Sequence, residues 1–228
     1  MKIIDLTRTI SSEMPVFPGT EPPVITNATT IDNEGFAEKQ ISFFTHTGTH
    51  IDAPAHILKG KYTLDRFSAD KFIGKGVVID VSTRQSLDEC ENDASGQEWF
   101  IEKKNLETHA VRIAGSDFVL LRTGWDRKWG SDSYFKDFPT LSESAAKWLS
   151  TFKLKGIGFD CISADPVSST DLPNHRIILG KNILIIENLC NLEPLINQFF
   201  RFSCLPLKIA DSDGSPVRAV AICADTML

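Results

Sequence analysis

Phe44-Thr45-His46-Thr47-Gly48-Thr49-His50-Ile51-Asp52-Ala53-Pro54-Ala55-His56 gathers three of the chain's five histidines and one carboxylate into a span of eleven residues. Helix is disfavoured, because Gly48 and Pro54 interrupt the run and Thr45, Thr47, Thr49 and Ile51 are β-branched. In an extended segment side chains alternate, so His46, Gly48, His50 and Asp52 share one face. Fully extended, positions 46 and 50 lie roughly 13 Å apart, at about 3.3 Å per residue. That separation is too large for both imidazoles to reach one ion at ~2.0–2.1 Å. A bend at Gly48 closes the gap, since glycine turns without steric cost and leaves room beside the backbone. One such histidine is most simply a surface group. Four polar groups on one face, flanked by Phe43, Phe44, Ile51, Ile57 and Leu58, call for a shared partner, and a cation satisfies several at once.

The rest of the chain frames this cluster. With 228 residues, 42% of them hydrophobic, it can bury a substantial core, and residues 1–228 are expected to form one domain. The 24 basic and 30 acidic residues give a net charge of −6 with no basic run, which argues against nucleic acid as a partner. Cys90, Cys161, Cys190, Cys204 and Cys223 are odd in number and contain no C-x-x-C pair, as expected of reduced thiols. Charges at Lys2, Asp5 and Arg8 interrupt any signal-like core, and no apolar run approaches the ~20 residues of a membrane span. The expectation is a soluble, cytoplasmic protein that acts on a small molecule, away from membranes.

In chain order, Lys2 to Ile10 reads as a strand. The following Ser11 to Pro23 is proline-rich and therefore a structured loop, whose Met14, Val16 and Phe17 either fold onto the core or wall a pocket. Val24 to Ile31 and Phe36 to Phe44 read as two more strands. Leu64 to Ile73 has helical spacing, Val77 to Val81 is a short strand, 82–97 a polar surface excursion, and Trp99 to His109 an amphipathic helix with His109 at the surface. From Phe118 onward the pattern is α/β. The apolar runs 118–121, 156–159 and 183–186 suit strands covered on both faces, alternating with a helix that Ser142 would cap. Thr123, Asp160 and Glu187 stand just beyond those runs, where ligands of open α/β sheets sit. His175, in Leu172-Pro173-Asn174-His175-Arg176, reads as a loop residue. Glu187 and His175 are the natural complements to the first cluster.

These residues resemble the cyclase-like metal-dependent hydrolases, a family that includes bacterial kynurenine formamidase. Its pattern H-x-G-T-H-x-D-x-P-x-H stands complete at His46, Gly48, Thr49, His50, Asp52, Pro54 and His56. A later histidine followed by a strand ending in Glu-Asn-Leu is matched by His175 and Glu187-Asn188-Leu189, and the segments from Leu205 and from Asp213 are similar to the family's last strands. The resemblance implies an α/β fold, a mixed sheet with a barrel-like core of the swivelling β/β/α type. It implies two zinc ions per subunit, with manganese as the alternative: His46 and His50 on one, His175 on the other, Asp52 and Glu187 touching or bridging both. His56 is left unligated for proton transfer. Homodimers or homotetramers are also implied.

The activity implied is metal-dependent amide hydrolysis of the arylformamidase kind, with N-formylkynurenine, from tryptophan catabolism, as leading substrate. Phe17 falls where arylformamidases of the family carry a substrate-stacking tryptophan; it stacks with less area and without the indole N–H. Other cyclic amides, isatin-like rings and lactones form the alternative substrates. A non-catalytic metal-binding domain is the alternative class, against which the free His56 counts. A serine or cysteine hydrolase is disfavoured by the lack of a G-x-S-x-G elbow and of a cysteine near the cluster.

Overall fold

The computed structural model describes residues 1–82 and 99–224. Its strands are β1 (Lys2–Asp5), β2 (Val24–Thr29), β3 (Glu38–Ser42), β4 (His50–Asp52), β5 (Ile73–Asp80), β6 (Phe100–Ile101), β7 (Phe118–Arg122), β8 (Thr140–Leu141), β9 (Gly156–Phe159), β10 (Leu184–Glu187), β11 (Phe199–Ser203), β12 (Gly214–Pro216) and β13 (Val220–Cys223). The helices are α1 (Ile31–Glu34), α2 (Lys103–Glu107), α3 (Ala110–Ala114), α4 (Glu143–Leu149) and α5 (Pro173–Leu179). A nine-stranded mixed sheet in the order β1-β13-β11-β5-β7-β9-β10-β4-β12 curls into a half-barrel. This is the expected α/β class. Among the described residues no helix is long and apolar enough to cross a membrane.

The centre of the sheet is parallel, β5 to β7 to β9 to β10, and β7, β9 and β10 are buried at every position. Alternation divides their side chains between two cores. Val119, Leu121, Ile157 and Ile185 pack under Ala145, Leu149 and Ile178 of the helices. Phe118, Leu120, Leu184 and Ile186 point into the curl, against Phe202, Ala221 and Ile51. Burial on both faces explains why these strands read as continuous apolar runs. Each buried Leu, Ile or Phe contributes ~1.5–3 kcal/mol, so this double layer supplies the rigid base of the fold.

Ser142 caps α4 as expected, its Oγ accepting from Ala145 N at 3.3 Å. Other expectations are corrected. The first strand stops at Asp5, whose carboxylate accepts from Thr7 N at 3.2 Å. Leu64 to Ile73 is not a helix; it forms 3₁₀ turns at Leu64–Arg66 and Ala69–Phe72 and then enters β5. There the Thr63 and Ser68 hydroxyls bond Asp65 and Asp70, local partners that compete with helix propagation. Trp99 to His109 opens as β6, and helix begins only at Lys103, behind a Glu102–Asn105 capping box. His175 is not on a loop: it lies in the first turn of α5, where Pro173 presets φ and the Asp165 carboxylate accepts from Asn174 N and His175 N at 2.9 and 3.0 Å. The excursion 82–97 and Cys90 fall outside the described residues, apart from Ser82.

Close backbone approach matters at Gly76, which faces Phe200 across the β5–β11 ladder. A Cβ there would stand 2.5 Å from Phe200 Cε2 and 3.0 Å from Phe202 Cβ. Gly76→Ala is therefore expected to lower unfolding free energy by ~1–3 kcal/mol through overpacking, measured by urea denaturation.

Candidate active site

The histidine stretch reaches the sheet through a turn. Gly48 adopts φ 63°, the left-handed region that glycine supports, and the chain then runs into β4 as His50, Ile51 and Asp52. Strand alternation points Ile51 into the core and His50 and Asp52 to the other face. β4 pairs antiparallel with β10 so that Glu187 stands opposite His50. The first turn of α5 brings His175 to the same place.

All six polar residues expected from the sequence, His46, His50, Asp52, His56, His175 and Glu187, line one cavity of about 430 Å³. Phe17 and Phe44 stand at its wall with Ile162, Val167 and Leu172. Asp160, by contrast, takes no part: its carboxylate accepts from Thr123 N, Thr123 Oγ1 and Gly124 N, clasping the ends of β7 and β9. Burial raises its pKa to about 7.

His50 Nε2 lies 3.4 Å from Asp52 Oδ1 and 3.3 Å from Glu187 Oε2. His175 Nε2 lies 3.4 Å from Glu187 Oε1 and 3.7 Å from Asp52 Oδ2. The other nitrogens of these two rings are held from behind. His50 Nδ1–H donates to Gly48 O at 2.8 Å, and His175 Nδ1–H donates to Asp165 Oδ2 at 2.7 Å. Because a carbonyl can only accept, Nδ1 of His50 must carry its proton, and Nε2, the nitrogen left for a metal ion once it is deprotonated, faces the carboxylates. Fixing one ring nitrogen so that the other faces inward is the arrangement of metal-ligating histidines. Asp52 Oδ2 is buried without a hydrogen-bond donor. A buried carboxylate oxygen left bare costs free energy that a cation would restore. The residues therefore fit a divalent ion: the triples His46, His50, Asp52 and Asp52, His175, Glu187 each converge within 4.8 Å.

His46 bridges two acids, Nδ1 to Asp52 Oδ1 at 2.7 Å and Nε2 to Asp213 Oδ2 at 3.1 Å. Asp213 Oδ2 also lies 3.3 Å from His56 Nδ1, while its Oδ1 accepts from Thr45 Oγ1 at 3.0 Å. Its bond from His46 holds the Asp213 carboxyl well below the usual range. For His56, burial dominates and pulls the pKa down. Burial also acts to lower His50 and His175, but carboxylates outweigh it, chiefly Asp52 and Glu187 for the first and Asp165 and Glu187 for the second, lifting both to about 10.

Asp165 and Asp213 escaped the reading of the sequence as site residues. Asp165 precedes His175 by ten positions and Asp213 follows His56 by 157. Neither belongs to a local pattern; only the carboxylate's fixed place in the folded chain reveals it.

A model of the Cyclase family matches residues 4–166. The chain belongs to the cyclase family. Kynurenine formamidase of Bacillus mycoides is 32% identical to it over 220 residues, covering 95% of each chain. Isatin hydrolase A from Ralstonia solanacearum superposes with a TM-score of 0.82 at 27% identity, over 96% of this chain and 91% of that one. A structure described as a potential metal-dependent hydrolase with cyclase activity gives a TM-score of 0.73 at 25% identity, covering 96% of both. Hydrolase is the activity class of this cyclase-family chain.

Both inward histidines titrate higher in the folded chain than at their ordinary value of 6.5. Their protonation therefore stabilises the metal-free fold fully below about pH 6.5, and this contribution is lost as pH rises toward about 10. Thermal melts in chelator should show Tm falling across that window. A flat profile would contradict the electrostatic description.

Proposed function

We propose that this cyclase-family hydrolase is a metal-dependent amidohydrolase, with the formamide of N-formylkynurenine as its leading substrate. One observation carries the metal dependence: Asp52 Oδ2 is buried without a donor, on a carboxylate whose two oxygens face the inward-turned Nε2 atoms of His50 and His175. In this reading His46, His50, Asp52, His175 and Glu187 hold two ions, zinc first and manganese as the alternative, since mixed imidazole and carboxylate donors suit either. Zinc or manganese there would lower the pKa of water from ~15.7 toward ~7 and polarise a carbonyl.

The side chains then have separate tasks. His56 remains unligated. Asp213 steadies its Nδ1, and its lowered pKa keeps the ring neutral near pH 7, ready to take a proton at Nε2 from the attacking water. The same nitrogen returns that proton to the departing amine. Phe17 and Phe44 line the cavity wall, and in this reading an aryl group stacks on them. The volume of about 430 Å³ suits a small aromatic amide. The formamide assignment draws on the likeness to kynurenine formamidase. A second reading, opening of a cyclic aryl amide, draws on the likeness to isatin hydrolase A.

Protein stripped of metal and reloaded with zinc or manganese is expected to recover N-formylkynurenine hydrolysis in step with bound ion. Ions bound without turnover would remove the substrate assignment and leave the site. His56→Ala should cost ~10²–10⁴ in kcat at unchanged metal content. Full activity would end the role given to His56.

We also propose a homo-oligomer, a dimer or a tetramer. The β2–β3 ribbon buries none of its side chains, with Val24 58% and Ile41 52% exposed, and an isolated two-stranded ribbon is marginal in water. Ile41→Glu should shift sedimentation toward the monomer. A wild-type monomer at micromolar concentration would refute the assembly.

A further inference from the structure

Behind His50 runs a buried polar chain that the proposed chemistry leaves unused. Asn188 Nδ2 donates to Gly48 O at 2.8 Å, the same carbonyl that accepts His50 Nδ1–H at 2.8 Å. Since Gly48 O can only accept, the side-chain amide of Asn188 has one permitted orientation, and its Oδ1 accepts from Tyr134 OH at 2.7 Å. Tyr134 is fully buried, its ring edge-on to Trp129 and Phe135, and its own carbonyl accepts from Trp125 Nε1 at 2.9 Å. The phenol is thus a rigid anchor.

The backbone of Asn188 is held as firmly. Its N–H donates to Cys161 O at 2.9 Å, its carbonyl accepts from Thr49 Oγ1 at 2.7 Å, and φ is 57°, a left-handed value that asparagine tolerates better than most residues. Asn188 directly follows Glu187. One residue therefore joins the segment that carries Glu187 to the turn that carries His50. The Tyr134 hydroxyl and both polar atoms of the Asn188 side chain have partners, the condition under which a buried network rigidifies rather than weakens a core.

We propose that Tyr134 and Asn188 form a positioning relay: Tyr134 orients the Asn188 amide, Asn188 fixes the Gly48 carbonyl, and that carbonyl aims His50 Nε2 at Asp52 and Glu187. The proposal rests on the metal-site reading above. Without the Asn188 side chain, Gly48 O keeps only its bond from His50, and a glycine at φ 63° has no side chain of its own to hold the tilt of that carbonyl. The His50 ring then follows its acceptor, and its Nε2 leaves the centre.

The test measures zinc affinity by competition with a chromophoric chelator, with no substrate present, alongside urea midpoints of the metal-free proteins. Asn188→Gly removes the side chain without straining a left-handed backbone. It should weaken zinc by about 10–100-fold, the usual cost of losing the support of a ligating histidine. Tyr134→Phe, which deletes one hydroxyl, should weaken zinc by a smaller factor. Because the two act in series, the double variant should bind as Asn188→Gly alone does, a non-additivity that two independent packing defects would not produce. Ile113→Val, a core change outside the site, should lower the urea midpoint and leave zinc affinity untouched. Asn188→Gly binding zinc as tightly as wild type would overturn the relay, as would losses that multiply in the double variant. If Asn188→Gly does not fold, Tyr134→Phe decides alone, and undiminished affinity overturns the proposal. Failure of the wild-type protein to bind zinc or manganese would instead strike the metal-site reading.

Discussion

The pairing of β4 with β10 is the constraint on which the rest of this structure turns. Antiparallel register sets Glu187 across from His50 and Ile185 across from Asp52, so strand alternation sends two carboxylates and an imidazole to one face while Ile51 and Ile186 enter the core. A slip of one residue would invert this arrangement, burying charge in the core and leaving isoleucines in the cavity. The large free-energy difference between those states makes the register unambiguous. Hydrophobic burial thereby places the polar site with the precision of a hydrogen-bonded ladder.

Placing acids and imidazoles together has an electrostatic cost that the surroundings offset in layers. Asp52 and Glu187 face His50 and His175, and behind those rings stand acceptors that fix their tautomers, Gly48 O and Asp165. Asp165 serves twice, since it also accepts from the first turn of α5 and so ties the helix to the ring it presents. Asp213 serves His46 and His56 in the same manner from the edge of the sheet. The inner groups supply candidate ligand atoms, and the outer groups determine where those atoms point.

The parallel centre of the sheet explains why such aim is possible. β7, β9 and β10 are covered on both faces, so the backbone that carries Glu187 and Asn188 is immobilised by apolar contacts in two directions. The β2–β3 ribbon has no such cover. The chain thus joins a rigid base at the polar cluster to an exposed ribbon that enters the site through Phe44 and Thr45.

Much of this was legible in the residues themselves. The eleven-residue run from His46 to His56 carries its own evidence, because spacing, the bend at Gly48 and the β-branched neighbours are local properties. The apolar runs at 118–121, 156–159 and 183–186 announced strands buried on both faces for the same reason, and Ser142 announced its helix. Tertiary structure alone decided the rest. The local pattern of Leu64 to Ile73 suits helix, yet hydroxyl-to-carboxylate bonds and the entry into β5 overrode it. His175 became helical because Asp165, ten residues away, caps its turn. Asp213, Asn188 and Tyr134 reached their hydrogen-bond partners across intervals of 54 to 157 residues. Sequence determines contacts whose geometry is set by neighbouring dihedral angles. Those that close long loops depend on which surfaces the whole chain can bury, and that is known only once it has folded.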